Sequence, residues 1–263
     1  MCAATVTTLK QTKQRAEKFA CITAYDAMFA ATVERAGIET ILVGDSLGMV
    51  LQGHTSTLPV NVSDMAYHTT CVAKGAPNTC IISDMPFMSY ASADDALSTA
   101  KQLMQAGAHI VKLEGGKWLA PIVSQISQQG IPVCGHLGLT PQSVNKLGGY
   151  KVQGRDDDGA KTILADALAL EQAGAELLVL ECVPAELAKT ITQRLHIPTI
   201  GIGAGNATDA QVLVLHDMLG LNTKPAKFVK NFMADAESIE AAIRQYGDDT
   251  RAGTFPTVEH TFK

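Results

Sequence analysis

The chain has 263 residues, 46% of them hydrophobic, which is long for an ordinary domain but normal for a single α/β barrel with a large core. A formal net charge of −5 and a pI near 5.8 give no broad attraction to phosphate backbones or acidic membranes, which argues against nucleic acid as a partner. No stretch approaches the roughly 18 uncharged apolar residues of a membrane span, and Met1 to Lys18 lacks a signal-peptide apolar block, so one cytoplasmic domain over residues 1–263 is expected.

A polar helical pattern from Val6 to Ala16 precedes a first strand, Phe19 to Ala24, and a helix from Asp26, its expected N-cap, to Arg35. Gly37 closes that helix, and a second strand, Ile41-Leu42-Val43, runs into Gly44-Asp45-Ser46-Leu47-Gly48. A helix from Ser63 to Gly75 leads to a third strand, Thr79 to Asp84, stopped by Met85-Pro86. Ala93 to Ala106 is helical, and Gly107 opens onto a fourth strand, Ile110 to Gly116. The helix Trp118 to Gln129 ends at Gly130, and a fifth strand, Ile131 to Gly135, delivers His136. Gly138 to Asp158 has no convincing periodicity and reads as a lid or binding loop. Helix Gly159 to Ala173, strand Leu177 to Glu181, helix Pro184 to Leu195, strand Thr199-Ile200-Gly201 and strand Val212 to Leu215 follow. Two C-terminal helices, Pro225 to Met233 and Asp235 to Gln245, complete the pattern. The six cysteines show no C-x-x-C spacing, and three lie in apolar strand-like runs, so they read as reduced core residues.

About eight strand–helix units in this length predict a closed parallel barrel. An open doubly wound sheet would need a phosphate or nucleotide turn early in the chain, and Thr23-Ala24-Tyr25-Asp26 is not one. An internal repeat carries the chemistry: Ala36-Gly37 leads through a strand to Asp45, Ala106-Gly107 to Glu114, and Ala173-Gly174 to Glu181. Asp84 and His136 end two further strands, and parallel strands bring all five polar ends to one rim. Residues two apart share a face, so if Glu114 points inward, so does Lys112.

A lone acid after a strand is most often a helix cap or a surface charge; four arriving together favour a site. Asp45 and Asp84 suit a hard divalent cation, Mg²⁺ first, with water and substrate completing its octahedron. Zinc is disfavoured because His136 has no second histidine at ligand spacing, and His136 reads better as a hydrogen-bonding core residue. Glu181, between Leu180 and Cys182, is a partly desolvated carboxylate suited to a general base, or an ion-pair partner of Lys112. Gly201-Ile202-Gly203-Ala204-Gly205 is either a phosphate-binding turn or an allowance for close packing. A metal, an ammonium and a carboxylate base are the equipment for making an enolate from a 2-keto acid, and they leave the electrophile unidentified.

Several segments, in order along nearly the whole chain, resemble the ketopantoate (3-methyl-2-oxobutanoate) hydroxymethyltransferase family. They are Thr23-Ala24-Tyr25-Asp26, the run from Val43 to Val50, Asp84-Met85-Pro86-Phe87, Val111 to Gly116, Gly135 to Gln142, Gly148 to Arg155 and Ile197 to Gly205. The resemblance implies a (β/α)8 TIM barrel of the phosphoenolpyruvate/pyruvate type, commonly a homo-oligomeric decamer, working in the cytoplasm on the route to pantothenate and coenzyme A. It also implies the electrophile: the one-carbon unit of 5,10-methylenetetrahydrofolate is transferred to 3-methyl-2-oxobutanoate, giving 2-dehydropantoate. By position it implies Asp45 and Asp84 as Mg²⁺ ligands, with Glu114 close to the ion directly or through water. Ser46 and Lys112 would hold the keto acid, together with backbone at Asp45 and Asp84, and Glu181 would accept the proton from C3.

The chain departs from the family pattern at two places. Lys74-Gly75 stands where Arg-Gly is usual, and Thr208-Asp209-Ala210-Gln211 where Cys-Asp-Gly-Gln is usual, so Ala210 is expected to be strained if the glycine needs positive φ. Two competing readings are a metal-dependent lyase or aldolase on another 2-keto acid, and a barrel that binds a keto acid without catalysis.

Overall fold

Alternate residues of eight short strands point into one closed barrel. The structure, a computed structural model, describes residues 4–262; Cys2 lies outside the described residues. The strands are β1 (Phe19–Thr23), β2 (Thr40–Val43), β3 (Cys80–Asp84), β4 (Ile110–Glu114), β5 (Val133–Gly138), β6 (Ala175–Glu181), β7 (Thr199–Ile202) and β8 (Ala210–Leu213). All pair in parallel and in sequence order, and β8 closes on β1 through Phe19↔Ala210 and Cys21↔Val212. This is the expected (β/α)8 barrel.

The period of two sorts the side chains into two cores. Phe19 and Cys21, Leu42, Cys80 and Ile82, Ile110, Cys134, Leu177 and Val179, Ile200, and Val212 fill the barrel interior. Their neighbours Ala20, Ile22, Ile41, Ile81, Val111, Leu178 and Leu180 face outward against the helices. Cys21, Cys80 and Cys134 are thus free thiols in the barrel core, and burial pushes those of Cys21 and Cys80 up to about 12.

The helices are α1 (Val6–Gln14), α2 (Ala27–Arg35), α3 (Leu47–Val50), α4 (Val62–Gly75), α5 (Ala93–Gln105), α6 (Ala120–Gln128), α7 (Val144–Leu147), α8 (Asp157–Gln172), α9 (Ala185–Arg194), α10 (Leu215–Met218) and α11 (Ile239–Ala252). Capping fixes their starts. Asp26 accepts from the backbone of Met28 and Phe29, as its sequence position predicts, and Ser92, Asp156 and Ser238 cap α5, α8 and α11 in the same way. Leu9 of α1 joins the interior cluster, so this helix plugs one end of the barrel and leaves the other open. Among the described residues no helix is long and apolar enough to cross a membrane.

The structure differs from the sequence reading in three places and shares with it the direct passage from the seventh strand to the eighth. His136 lies within β5 rather than after it. The segment 138–158 holds a short 3-10 turn at Pro141–Ser143 and then α7, which ends at left-handed Gly148. No helix separates β7 from β8, so the seventh strand lacks its covering helix, and the C-terminal segment packs there, with Phe262 O accepting from Ala185 N. The stretch 225–233 forms turns instead of a helix. Asn222 and Asn231 side chains accept from the backbone two residues on, an alternative to helical bonding, while Phe232 packs edge-on against Tyr246 and Phe255. Ala210 sits in regular β8 and is absent from the positive-φ residues, so the substitution there carries no backbone strain.

Candidate active site

At the open end, β2 stops at Val43 and the chain turns through Gly44 into Asp45 and Ser46 before α3 begins. A Cβ at Gly44 would stand 2.8 Å from Ser46 Oγ and 3.6 Å from Asp84 Oδ2, so glycine lets this turn press against the end of β3. Asp45 N donates to Asp84 Oδ2 at 3.0 Å, and Ser46 Oγ shares a hydrogen bond of 2.9 Å with the Tyr25 hydroxyl.

Strand register assembles the rest. Asp84 is the β3 partner of Lys112, and Glu114 is the β4 partner of His136. Lys112 Nζ consequently lies 3.0 Å from Asp84 Oδ1, 3.6 Å from Glu114 Oε1 and 3.0 Å from His136 Nδ1. His136 Nδ1 is also 3.2 Å from Glu114 Oε1, and its Nε2 is 3.2 Å from Glu181 Oε2 without the alignment of a hydrogen bond. The inward-facing lysine and the core histidine are therefore as the period-two reading expects. All of these groups except Glu181 are fully buried or nearly so.

Burial works against every charge here, and the neighbours decide which survive. Burial would discharge Lys112, but Asp84, Glu114 and Asp45 outweigh it and raise its pKa. Glu114 is pushed up by burial and pulled further down by Lys112 and His136, so it ends below its ordinary range. Burial and Lys112 lower His136, Glu114 and Glu181 raise it, and the balance sits at about 8. Asp84 is raised by burial against the pull of Lys112. Asp45 is raised well above the ordinary range by burial, then by Asp84 and Glu114. The cluster thus carries more carboxylate than its cations neutralise, and the excess falls on Asp45.

A cavity of about 380 Å³ opens onto this cluster, lined at depth by Asp45, Ser46, Asp84, Lys112, His136 and Glu181. Glu114 stands behind it, with Oε1 facing Lys112 and His136 and Oε2 accepting from Gln142 N. Asp84 Oδ1 has no aligned hydrogen-bond donor among the described residues despite its closeness to Lys112. Among the described residues no three His, Cys, Asp or Glu side chains form a ready-made metal cage. The donors are instead two buried carboxylates, Asp84 paired with Lys112 and Asp45 short of positive charge, which suits a hard cation that keeps several water ligands.

Three residues in or beside the cavity escaped the sequence reading of roles. Gln142 joins its two halves: its Nε2 donates to Asp45 Oδ2 at 2.8 Å and to Met85 O at 3.0 Å. Tyr150 lies at the mouth, its hydroxyl 3.7 Å from Met49 Sδ. Asp217 lines the wall beyond β8. Gln142 and Tyr150 fall inside recognisable motifs, but their roles depend on contacts with residues about a hundred positions away. Of the Gly-rich run at the end of β7 only Ile202 lines this cavity; side chains at Gly203 and Gly205 would collide with Phe228 and Ala185, so these glycines permit close packing. A larger cavity of about 890 Å³, beside the uncovered β7 and the C-terminal segment, shares no lining residue with the carboxylate site.

A family model described as ketopantoate hydroxymethyltransferase matches residues 3–258. A 3-methyl-2-oxobutanoate hydroxymethyltransferase 2 of Hahella chejuensis is 59% identical over 259 residues, 98% of each chain. Another of the same name from Pseudomonas fluorescens is 60% identical over 260 residues, again 98% of each chain. Among solved structures, 2,3-dimethylmalate lyase, a PEP mutase/isocitrate lyase superfamily member, superposes with a TM-score of 0.60 at 17% identity, covering 81% of this chain and 79% of that one.

Proposed function

This chain belongs to the ketopantoate hydroxymethyltransferase family, and from that membership and the chemistry of the cavity we propose that it transfers the one-carbon unit of 5,10-methylenetetrahydrofolate to 3-methyl-2-oxobutanoate. The product is 2-dehydropantoate. The observation that supports this most directly is the meeting of Lys112, Asp45, Asp84 and Glu181 in one cavity, an anion-holding charge and a base around a site with oxygen donors for a cation.

Asp45 and Asp84 would hold Mg²⁺, with Glu114 behind them reaching it through water. When bound, the ion supplies Lewis-acid polarisation of the ketone and tolerates the charge that develops on its oxygen. Lys112 contributes a permanently charged ammonium for the carboxylate of the keto acid, and Ser46, held by Tyr25, offers a hydroxyl beside it. Glu181 is the least buried acid of the cluster and takes the proton from C3. His136, fixed from behind by Glu114 and Lys112, places its Nε2 3.2 Å from the Glu181 carboxylate. C3 then bonds to the methylene carbon of the folate. Both carbon–nitrogen bonds of that methylene break, water supplies the hydroxyl oxygen, and the two nitrogens take up the C3 proton and one from water.

The test is the purified protein with Mg²⁺ and both substrates, followed for 2-dehydropantoate and for exchange of the C3 proton into deuterated buffer without folate. The unmodified protein should do both, and Glu181→Gln should lose exchange by about 10²–10⁴-fold while still binding the keto acid. Exchange without any folate-dependent product would favour a lyase or aldolase; absence of exchange in the unmodified protein would leave only a binding barrel.

A further inference from the structure

Four carboxylates line the cavity: Asp45, Asp84, Glu181 and Asp217. The first three belong to the cluster around Lys112, His136 and Gln142. Asp217 does not. It sits in α10, just past the end of β8, and so shares the open rim of the barrel with the reacting groups. Its Oδ1 accepts from Asn222 Nδ2 at 3.1 Å, and its Oδ2 takes no hydrogen bond from the described residues. Burial pushes the Asp217 carboxyl up, opposed by Asn222 and His216, which describes a carboxylate drawn into the protein without full compensation. The lining beyond β8 holds the apolar Val214, Ala226 and Phe228 together with Asn222 and one cation, Lys224.

A half-buried acceptor with an open oxygen beside apolar side chains is a recognition feature when a ligand supplies the missing donor. The keto acid of the proposed reaction is small, and its polar groups are already matched by Lys112, Ser46 and the cation that Asp45 and Asp84 would hold. A cavity of about 380 Å³ has room for a second, flatter molecule against the far wall. The co-substrate of that reaction carries a reduced pterin. Its 2-amino-4-oxopyrimidine edge presents two adjacent N–H donors, the exocyclic amine and N3–H, at the spacing of two carboxylate oxygens. Oδ2 of Asp217 is free for one donor, and Oδ1 keeps a lone pair beside the Asn222 bond for the other.

We propose that Asp217 binds the 2-amino-4-oxopyrimidine edge of the one-carbon donor's pterin, which lies against Val214, Ala226 and Phe228, and that Asn222 orients the carboxylate for it. The inference rests on the folate-dependent reaction proposed above. It places the donor across the barrel mouth from the Lys112 ammonium, so the two substrates occupy separate walls of one cavity.

The test is Asp217→Asn, which keeps the side-chain shape and an acceptor for Asn222 but puts a donor where the free oxygen was. The KM for methylenetetrahydrofolate should rise roughly tenfold or more, as expected when a charged hydrogen bond is replaced by opposed donors. The keto-acid KM, the folate-free C3 exchange rate and the melting temperature should stay near those of the unmodified protein. On the unmodified protein, a donor with its 2-amino group replaced by methyl should lose a comparable factor, and the variant should show no further loss with it. An unchanged donor KM in Asp217→Asn, with the unmodified protein fully active, overturns this inference alone. Equal loss in both substrates together with a lowered melting temperature assigns Asp217 a structural role and also overturns it. Failure of the unmodified protein to turn over with folate overturns the proposed function first, and the inference with it.

Discussion

Lys112 Nζ stands 3.0 Å from Asp84 Oδ1 across adjacent strands, and the two residues are register partners. The pair is buried, and Lys112 stays charged only because Asp84, Glu114 and Asp45 surround it. Removing one member of such a cluster leaves the others as uncompensated charge. Lys112→Met keeps the volume of the stem and removes the ammonium, so it should cost about 3–5 kcal/mol of unfolding free energy in urea. The keto-acid KM should rise in the same variant. Unchanged stability would show that the surrounding acids are neutralised by something other than Lys112.

The state of Asp45 couples cation binding to pH. Burial first, then Asp84 and Glu114, hold its carboxyl well above the ordinary range. A carboxyl raised in the folded state favours that state when protonated, so its ionisation costs stability as pH climbs from the ordinary aspartate range through the raised value. A cation binds the ionised form and reverses that cost. Mg²⁺ should therefore raise the melting temperature more at about pH 8 than at about pH 5, and release protons as it binds. At about a hundred times Kd the gain should be about 2.7 kcal/mol. Calorimetry in buffers of different ionisation enthalpy counts the protons; equal thermal shifts at both pH values with no proton release would remove Asp45 from the ligand set.

Gln142 holds Asp45 Oδ2 with its side chain and Glu114 Oε2 with its backbone, and its amide oxygen meets the Tyr90 hydroxyl. It therefore fixes two of the acids from behind without needing to touch substrate. Gln142→Ala should weaken Mg²⁺ binding about 10–100-fold, the usual effect of losing a group that orients a ligand. Glu181-dependent proton exchange at saturating Mg²⁺ should recover most of its rate. A loss that persists at saturating Mg²⁺ would mean that Gln142 acts on the reaction itself.

The barrel and the inner cluster were legible because both follow from local rules. A period of two places Lys112 beside Glu114 on one face, and parallel strands of similar length bring Asp84, His136 and Glu181 to one rim. Asp26 and Gly37 announce their helix ends by capping chemistry alone. The contacts of Gln142, Tyr150 and Asp217 follow no such rule. Each depends on where a loop lies over the rim, and loop paths are set by tertiary contacts such as Gln142 to Met85 O rather than by periodicity. The failed helix at 225–233 has the same origin. Its apolar residues are spaced for a helix, but Phe228 faces the cavity and Phe232 the outer core, and side-chain amides turn the backbone at 222–224 and at 231–233.

The position of Glu181 is set by a glycine on the neighbouring strand. Gly138 pairs with Glu181 in the β5–β6 ladder at φ +90°, and Leu139 N donates to Glu181 O at 2.8 Å. A Cβ at Gly138 would collide with Glu181 O and stand 2.7 Å from Val183 Cγ1, so Gly138→Ala must displace the strand that presents the base. Backbone strain alone should cost about 1–3 kcal/mol. Displacing the carboxylate by about 1 Å should cost roughly a hundredfold in C3 proton exchange, with little change in keto-acid binding. Gly130→Ala is the matched control, since Gly130 has φ +79° and open space around its missing side chain. It should lose only the stability that backbone strain accounts for and keep its exchange rate. Equal exchange rates in the two variants would show that strain, and not the packing of Gly138 against Glu181, governs the base.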